Sequence, residues 1–257
     1  MKFDFTINVF LQLLRQIQCD NYQFIPVKDF LSIPDYAKRI AILRHDVDKR
    51  PDFALRMAKL ENGLNIKGTY YFRIKNNIFI PDLLKEIASL GHEIGYHYED
   101  LSDSNGDFMK AWETFQLNLS RMRNEVDVTS ICMHGSPLSK FKNIDLWKKY
   151  NYRDLGIIGE PYKDIDFKKL EYFTDTGRKW NKFDSSINDF TDSSYLNLST
   201  FELIDILKKG KIKRPIFINF HPQRWTENVF IWTQEKYFQF VKNIIKRSIK
   251  TKNEITK

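Results

Sequence analysis

The sequence predicts an α/β fold, a single domain of parallel strands joined by crossover helices. Three observations carry this. Short apolar runs alternate with amphipathic stretches from Ile40 onward, and strand–helix alternation of that kind builds parallel sheets. No repeat, low-complexity block or Pro/Gly-rich linker divides the chain. Its 257 residues also suit one α/β barrel, which commonly runs to about 250 residues. A distorted (β/α) barrel of parallel strands is the first expectation, and an open doubly wound sheet the second.

The elements follow in order. Residues 1–39 form a helical lead-in, 40–222 the core that bears the motifs, 234–250 a closing helix, and 251–257 a disordered tail. Ile40 to Leu43 is a short buried strand. Pro51 to Leu64 is a helix, with Pro51 in its first turn and Phe53, Ala54, Met57, Ala58 and Leu60 turned inward. Thr69 to Phe72, β-branched and aromatic, is a strand. Pro81 to Leu90 is a helix stopped by Gly91, and His92 to Tyr98 is a strand. Asp100 to Gly106 is polar and turn-rich. The clearest helix spans Asp107 to Val126, because Phe108, Trp112, Phe115, Leu119 and Met122 recur at alternating spacings of four and three. Val128 to Met133 is a strand, Asn143 to Tyr150 a short helix, and Leu155 to Ile158 a further strand. The stretch from Pro161 to Asn197 is irregular. Ser199 to Lys209 is a helix that opens on a capping box of Ser199 and Glu202 and ends at Gly210. Pro215 to Phe220 is a strand, and Gln234 to Ile249 the closing helix.

Composition narrows the function classes. Hydrophobic residues make up 42% of the chain, enough for a large core, and the 15% aromatic share suits a barrel or a sugar-binding cleft. Cys19 and Cys132 match no metal or redox spacing and read as reduced thiols. Asp4 interrupts the N-terminal apolar run, and no signal-peptide core follows. No run approaches the roughly 20 apolar residues of a membrane span, so a soluble cytoplasmic protein without a transmembrane segment is expected. The net charge is +8 and the pI about 9.2. Acidic substrates, nucleic acid or an anionic membrane surface would all suit that charge. The basic residues are spread along the chain, however, and the only dense patch, Lys242 to Lys257, reads as a solvated lysine-rich surface. No aromatic-and-basic motif of the nucleic-acid-binding types is present, so no nucleic-acid partner is expected.

The chemistry lies with the histidines. Four of the five, His45, His97, His134 and His221, fall at the C-terminal ends of predicted strands, where barrels and open α/β sheets build their active sites. In Arg44-His45-Asp46-Val47-Asp48, residues two apart on extended backbone share a side, so Asp46 and Asp48 converge. Two carboxylates that close repel unless a cation sits with them. One can bind a metal while the other accepts a proton. Along the strand that follows Gly91, His97 and Glu99 share a side, and imidazole with carboxylate is a usual zinc ligand mixture. His92 reads instead as a hydrogen-bonded core residue.

These residues carry a resemblance. Gly91-His92-Glu93-Ile94-Gly95-Tyr96-His97 is similar to the second motif of the polysaccharide deacetylases, the NodB-type carbohydrate esterase family 4. His45-Asp46-Val47-Asp48 resembles their first motif, an aspartate pair. His134-Gly135-Ser136-Pro137 falls where the third, an Arg- and Pro-containing loop, would lie. Asp175 to Trp180 is similar to the fourth, and Asn219-Phe220-His221-Pro222 to the late histidine motif. The resemblance runs from about Ile40 to Pro222 and is nearest the cytoplasmic branch tied to surface-polysaccharide and O-antigen biosynthesis.

The resemblance implies a NodB-like distorted barrel, a divalent metal that is usually zinc, and hydrolysis of an N-acetyl or similar acyl group. The partner it implies is an acylated sugar, as a nucleotide-linked or lipid-linked saccharide. Asp46 would be the catalytic base, Asp48 and His97 metal ligands, and His221 the acid that protonates the leaving amine. Arg73, Tyr98, Asp175, Arg178 and Trp180 are expected to bind substrate or support the site. One departure stands out. The family's second ligand histidine, four or five residues after the first, is replaced here by Leu101 and Ser102. Glu99 and His134 are the candidates for the third ligand, and His134 also stands where the family's arginine steadies the base. Two rival readings exist. A catalytically decayed barrel would act as a carbohydrate-binding or regulatory protein, and the missing histidine motivates it. A metal-dependent phosphohydrolase built on His45-Asp46 would be all-helical, whereas His45 follows a strand.

Overall fold

Eight consecutive buried residues, Ile40–Val47, form the strand around which the sheet is arranged. The computed structural model describes residues 3–136, 139–180, 195 and 197–239. In chain order the elements are α1 (Ile7–Cys19), β1 (Gln23–Ile25), α2 (Val27–Ser32), β2 (Ile40–Val47), α3 (Pro51–Gly63), β3 (Thr69–Phe72), α4 (Pro81–Ser89), β4 (Glu93–Tyr98), α5 (Asp100–Asp103), α6 (Phe108–Arg123), β5 (Ile131–Met133), α7 (Pro161–Asp164), β6 (Glu171–Thr174), α8 (Thr200–Lys208) and β7 (Ile216–Phe220). A helix over 229–239 ends the described chain.

All strand pairs are parallel, in the order β5-β4-β3-β2-β7-β6. The sheet curls into a half-barrel with β5 and β6 as its ends. β2 is long enough to hold three partners. β7 pairs along residues 41–45, while β1 takes residues 40–42 and β3 residues 44–47. Because a strand has two edges, β1 and β3 share one of them end to end.

The side-chain period of two separates the faces. Outward, Ile94, Tyr96 and Tyr98 of β4 pack with Ala111, Phe115, Leu119 and Met122 of α6. Ala41, Leu43, Ile216, Ile218 and Phe220 pack with Phe10, Leu13, Leu14 and Ile17 of α1 and Leu203 and Leu207 of α8. Inward, Ile40, Ile42, Tyr71, Cys132, Tyr172 and Phe217 close on Val27 and Phe30 of α2. Besides that apolar plug the inner face carries a buried polar cluster, with Thr69 and Ser130 donating to the Glu93 carboxylate, and its C-terminal end is polar as well. Gly95 is required there. A Cβ on it would stand 2.2 Å from the Tyr71 ring and 3.1 Å from the Ser130 carbonyl.

Several expectations are met closely. Thr69–Phe72 is a strand as read, Asp107 caps α6, and the Ser199–Glu202 capping box is formed. In α3, Ala54, Met57 and Ala58 are buried, Phe53 and Leu60 half-buried, and Glu61 joins the buried side. Other expectations are corrected. Leu155 to Ile158 is not a strand. A 3-10 turn over Tyr152–Leu155 ends in left-handed Gly156 (φ 69°), and only Gly159 bridges to Ser130. The strand expected from Val128 begins at Ile131. The lead-in contains β1, and the irregular stretch after Pro161 contains β6. The closing helix starts earlier than Gln234, and its part beyond 239, with the tail over 251–257, lies outside the described residues. Among the described residues no helix is long and apolar enough to cross a membrane.

Candidate active site

Alternation along β2 sorts its three polar residues. Arg44 and Asp46 face inward. His45 faces outward, stacked on Tyr70 at 4.1 Å with its Nε2 2.8 Å from Glu61 Oε1. Arg44 holds Asp46 in a two-point fork, Nε to Oδ1 and Nη2 to Oδ2, both 2.7 Å. Asn219, opposite Arg44 in the register of β7, donates to Asp46 Oδ2 at 3.0 Å. Burial pushes the Asp46 carboxyl up, but the Arg44 guanidinium, with His97 and His221, outweighs it and holds the group well below the usual carboxylate range. Asp46 is therefore ionised, with both oxygens engaged.

Asp48, just past the end of β2, differs. Its Oδ1 is buried and has no hydrogen-bond partner. Three imidazoles turn their Nε2 atoms towards this carboxylate. His97 Nε2 and His134 Nε2 lie 3.6 and 3.5 Å from Oδ1, and His221 Nε2 lies 4.0 Å from Oδ2. His97 Nε2 is also 3.8 Å from Asp46 Oδ2. Asp46, Asp48, His97, His134 and His221, read from strand ends in the sequence, thus meet at one rim of the sheet.

Each imidazole is anchored through its other nitrogen. His97 Nδ1 lies 2.9 Å from the Cys132 carbonyl, which only accepts, so Nδ1 carries the hydrogen and the Nε2 lone pair is free. Burial, with His134 adding to it, lowers His97 to about 4 against the pull of Asp46, so the ring is neutral near pH 7. His134 Nδ1 is 3.1 Å from Glu99 Oε2 and 3.2 Å from Ser136 Oγ. His221 Nδ1 is 2.6 Å from Asp175 Oδ1. Asp175 is fully buried and also accepts from the backbone N–H of His221, from Trp225 Nε1 and from Arg224. Burial would raise Asp175, but Arg224 and His221 hold it low.

Carboxylate and imidazole are donor types that a divalent ion takes. Separations of 3.5–3.6 Å between Asp48 Oδ1 and two imidazole nitrogens are too long for good hydrogen bonds. Ligands about 2.1 Å from a tetrahedral ion stand about 3.4 Å apart. Among the described residues, as the side chains stand, no group of three or more His, Cys, Asp or Glu that could hold a metal ion is present. What is present is an orphaned carboxylate oxygen between two imidazoles whose remaining nitrogens are fixed, the arrangement in which outer partners orient metal-binding histidines.

Glu99 is committed elsewhere. Arg73 forks onto it through Nε at 2.9 Å and Nη2 at 2.7 and 2.6 Å, and Lys75 Nζ is 3.0 Å from Oε1. Burial pushes the Glu99 carboxyl up, but His134 and then Arg73 outweigh it and hold the group well below the usual carboxylate range. Arg73 supports the site by holding Glu99 against His134. Tyr98 points outward, fully buried, and accepts from Trp147 Nε1 at 2.7 Å. Trp180 is fully buried among Phe5, Phe220 and Trp225 and donates to Thr200 Oγ1, so it has no surface to offer a substrate and only backs the wall. Arg178 packs its guanidinium on Phe5 and Trp232, with Nη1 3.3 Å from the Arg224 carbonyl. Asp175 alone of that last trio touches the histidines. His92 is a core residue as read, with Nδ1 accepting from Gly68 and Nε2 3.0 Å from the Ala58 carbonyl.

Sequence reasoning missed Arg44 and Asn219. Their signal was available, since each stands two residues before a site residue on the same face of its strand. Comparisons of the chain with protein-family models, with curated proteins and with solved structures return no match.

Proposed function

We propose that the chain is a metal-dependent hydrolase that removes an N-acyl group, N-acetyl in the first place, from a sugar or saccharide intermediate. The observation that carries this reading is the orphaned Asp48 oxygen facing the fixed Nε2 atoms of His97 and His134, with an ionised Asp46 held apart on Arg44. The motif resemblance from Ile40 to Pro222 supports the substrate class, with a place in surface-polysaccharide synthesis and a nucleotide-linked or lipid-linked saccharide as partner.

Asp48, His97 and His134 would hold one ion, zinc by donor type. Bound there, the ion supplies a Lewis acid for the acyl carbonyl and lowers the pKa of water at the site. Asp46 takes the proton as water adds to the carbonyl carbon, and Arg44 keeps its carboxylate aimed and ionised. His221, fixed through Nδ1 by Asp175, carries a proton to the amide nitrogen. The C–N bond then breaks to give a carboxylic acid and an amine. Amide cleavage needs this acid, because an unprotonated amine leaves poorly. The apolar plug beneath the site keeps bulk water from below.

A phosphohydrolase centre built on His45-Asp46 loses its support, because the two side chains lie on opposite faces of the sheet. The test is mass spectrometry of N-acetylated hexosamines, free, nucleotide-linked and lipid-linked, incubated with zinc-loaded protein. Loss of an acetyl group that disappears in Asp46→Asn is expected. A chain that binds stoichiometric zinc yet deacetylates none of the panel would overturn the substrate assignment. A chain that binds none would overturn the metal reading.

A further inference from the structure

Asn143 opens a 3-10 turn, Asn143–Lys148, and is buried, 1% exposed. Leu146 and Trp147 of the same turn are buried too. Trp147 Nε1 donates to the Tyr98 hydroxyl at 2.7 Å, which fixes the turn against β4. A buried side-chain amide needs partners for its carbonyl oxygen and for its NH2 group. Asn143 finds them beside the candidate site. Its Oδ1 accepts from the Ser102 backbone N–H of α5 at 2.9 Å. Its Nδ2 donates to the His134 carbonyl at 2.8 Å and to Ser136 Oγ at 3.2 Å.

Both of these last bonds act on His134. Residues 134–136 lie outside every strand and helix, so side chains must hold what a sheet ladder does not. The bond to the carbonyl holds the His134 main chain, whose N–H is tied to the Tyr98 carbonyl at 2.8 Å. The bond to Ser136 holds the hydroxyl that lies 3.2 Å from His134 Nδ1. Glu99 Oε2 is 3.1 Å from the same nitrogen. A carboxylate only accepts, so Nδ1 carries the ring hydrogen, and Nε2 turns its lone pair to Asp48. Glu99 thus sets the direction of one nitrogen, whereas the place of the imidazole follows from the backbone that Asn143 holds.

We infer that Asn143 is a positioning residue, which places the His134 imidazole against Asp48. The inference rests on the reading of His134 as a working residue of the site. Asn143 itself touches neither Asp46 nor Asp48 and takes no part in the chemistry.

Proton–nitrogen correlation spectra of the histidine rings test it in the metal-free protein. The wild type should show His134 as one tautomer, with its hydrogen on Nδ1. Asn143→Leu removes all three bonds. Asn143→Asp keeps the size and the acceptor for Ser102 but loses the donors. In each, the His134 pattern should move to that of a ring exchanging tautomers. His45 and His92, packed against Glu61 and Tyr70 on the opposite face of the sheet, should keep theirs. A lost fold would instead move all of these rings, and the variant that keeps its circular dichroism carries the test. With zinc, both variants should weaken metal affinity about 10–100-fold and lower kcat for an N-acetylated hexosamine with KM held. An unchanged His134 pattern in folded variants would overturn the inference and leave Glu99 as the group that sets the ring. A wild-type ring with its hydrogen on Nε2 would overturn it as well. A wild type that binds no zinc would overturn the metal reading instead, and the metal-free spectra would still decide the role of Asn143.

Discussion

Arg44 determines which form of Asp46 the site contains. Left to burial alone, the carboxyl would rise and hold its proton; forked to the guanidinium, it is ionised. Arg44→Met should raise the Asp46 pKa and move the acidic limb of kcat/KM to higher pH. It should also cost about 3–5 kcal/mol of stability, since it strands a buried charge. A pH–rate profile and urea unfolding read the two effects, and an unmoved acidic limb would show that Asp46 is not the titrating base. The two aspartates should fail differently. Asp46→Asn is expected to keep zinc and lose turnover, whereas Asp48→Asn loses both, and equal zinc loss in metal analysis would mean that both are ligands. For the third ligand, His134→Ala should abolish stoichiometric zinc, while Glu99→Gln, which only loosens the hold on His134 Nδ1, should weaken affinity about 10–100-fold. The reverse order in competition titrations would make Glu99 the ligand. The sequence showed the residues that meet at the candidate site, because strand ends and the period of two place them. It named Asp175 and Arg73 as supporting residues through the motif resemblance but did not show which group each one anchors. Asp175 behind His221 and the Cys132 carbonyl behind His97 depend on which chain segments the fold brings together, and no local pattern encodes that.

At the scale of the element, α7 carries a charge the fold tolerates poorly. Glu160, at its N-terminus, is fully buried and accepts from the backbone N–H of Met133 at 3.0 Å and of Lys163 at 3.1 Å. Burial pushes its carboxyl from 4.5 up to about 7. The folded state then binds more protons than the unfolded state between those values. Stability is fully present below about pH 4.5 and is lost as pH rises to 7, by about 3 kcal/mol. Glu160→Gln should flatten that slope. Denaturant unfolding at several pH values between 4.5 and 7 checks it, and a variant that keeps the slope would assign it to another group. The elements misread from sequence have local causes. β1 and β6 have three and four residues, too few for a period to show. Leu155 to Ile158 is apolar enough for a strand, but Gly156 adopts a left-handed turn that ends the run. The long helices were legible because a 3.6-residue period accumulates over several turns.

The whole molecule is held at its centre by its two ends. β2 and β7 are neighbours in the sheet, and Asn219 reaches Asp46 across 173 positions of sequence. Asp4 accepts from the Thr200 backbone at 2.8 Å and, through its carbonyl, from Trp232. A chain ending at residue 214 would lose β7 and with it the partner along one edge of β2. Such a truncation should show no cooperative denaturant transition and no near-ultraviolet circular dichroism. A native-like spectrum would mean that the first 214 residues fold alone. Alternation of strands and helices made the parallel α/β class legible, yet the strand order was not, because β2–β7 pairing is a long-range choice among several apolar strands.

That same pairing bears on the order in which the protein is made. Synthesis runs from the N-terminus, and Asp48, His97 and His134 all emerge long before Asn219 and His221. A growing chain therefore carries its candidate ligands while β2, the longest of the described strands, has one edge bare. An uncovered strand edge is a template for pairing with a neighbouring chain. The last of the described strands acts as a late keystone: until it leaves the ribosome, the nascent protein depends on chaperones or on speed.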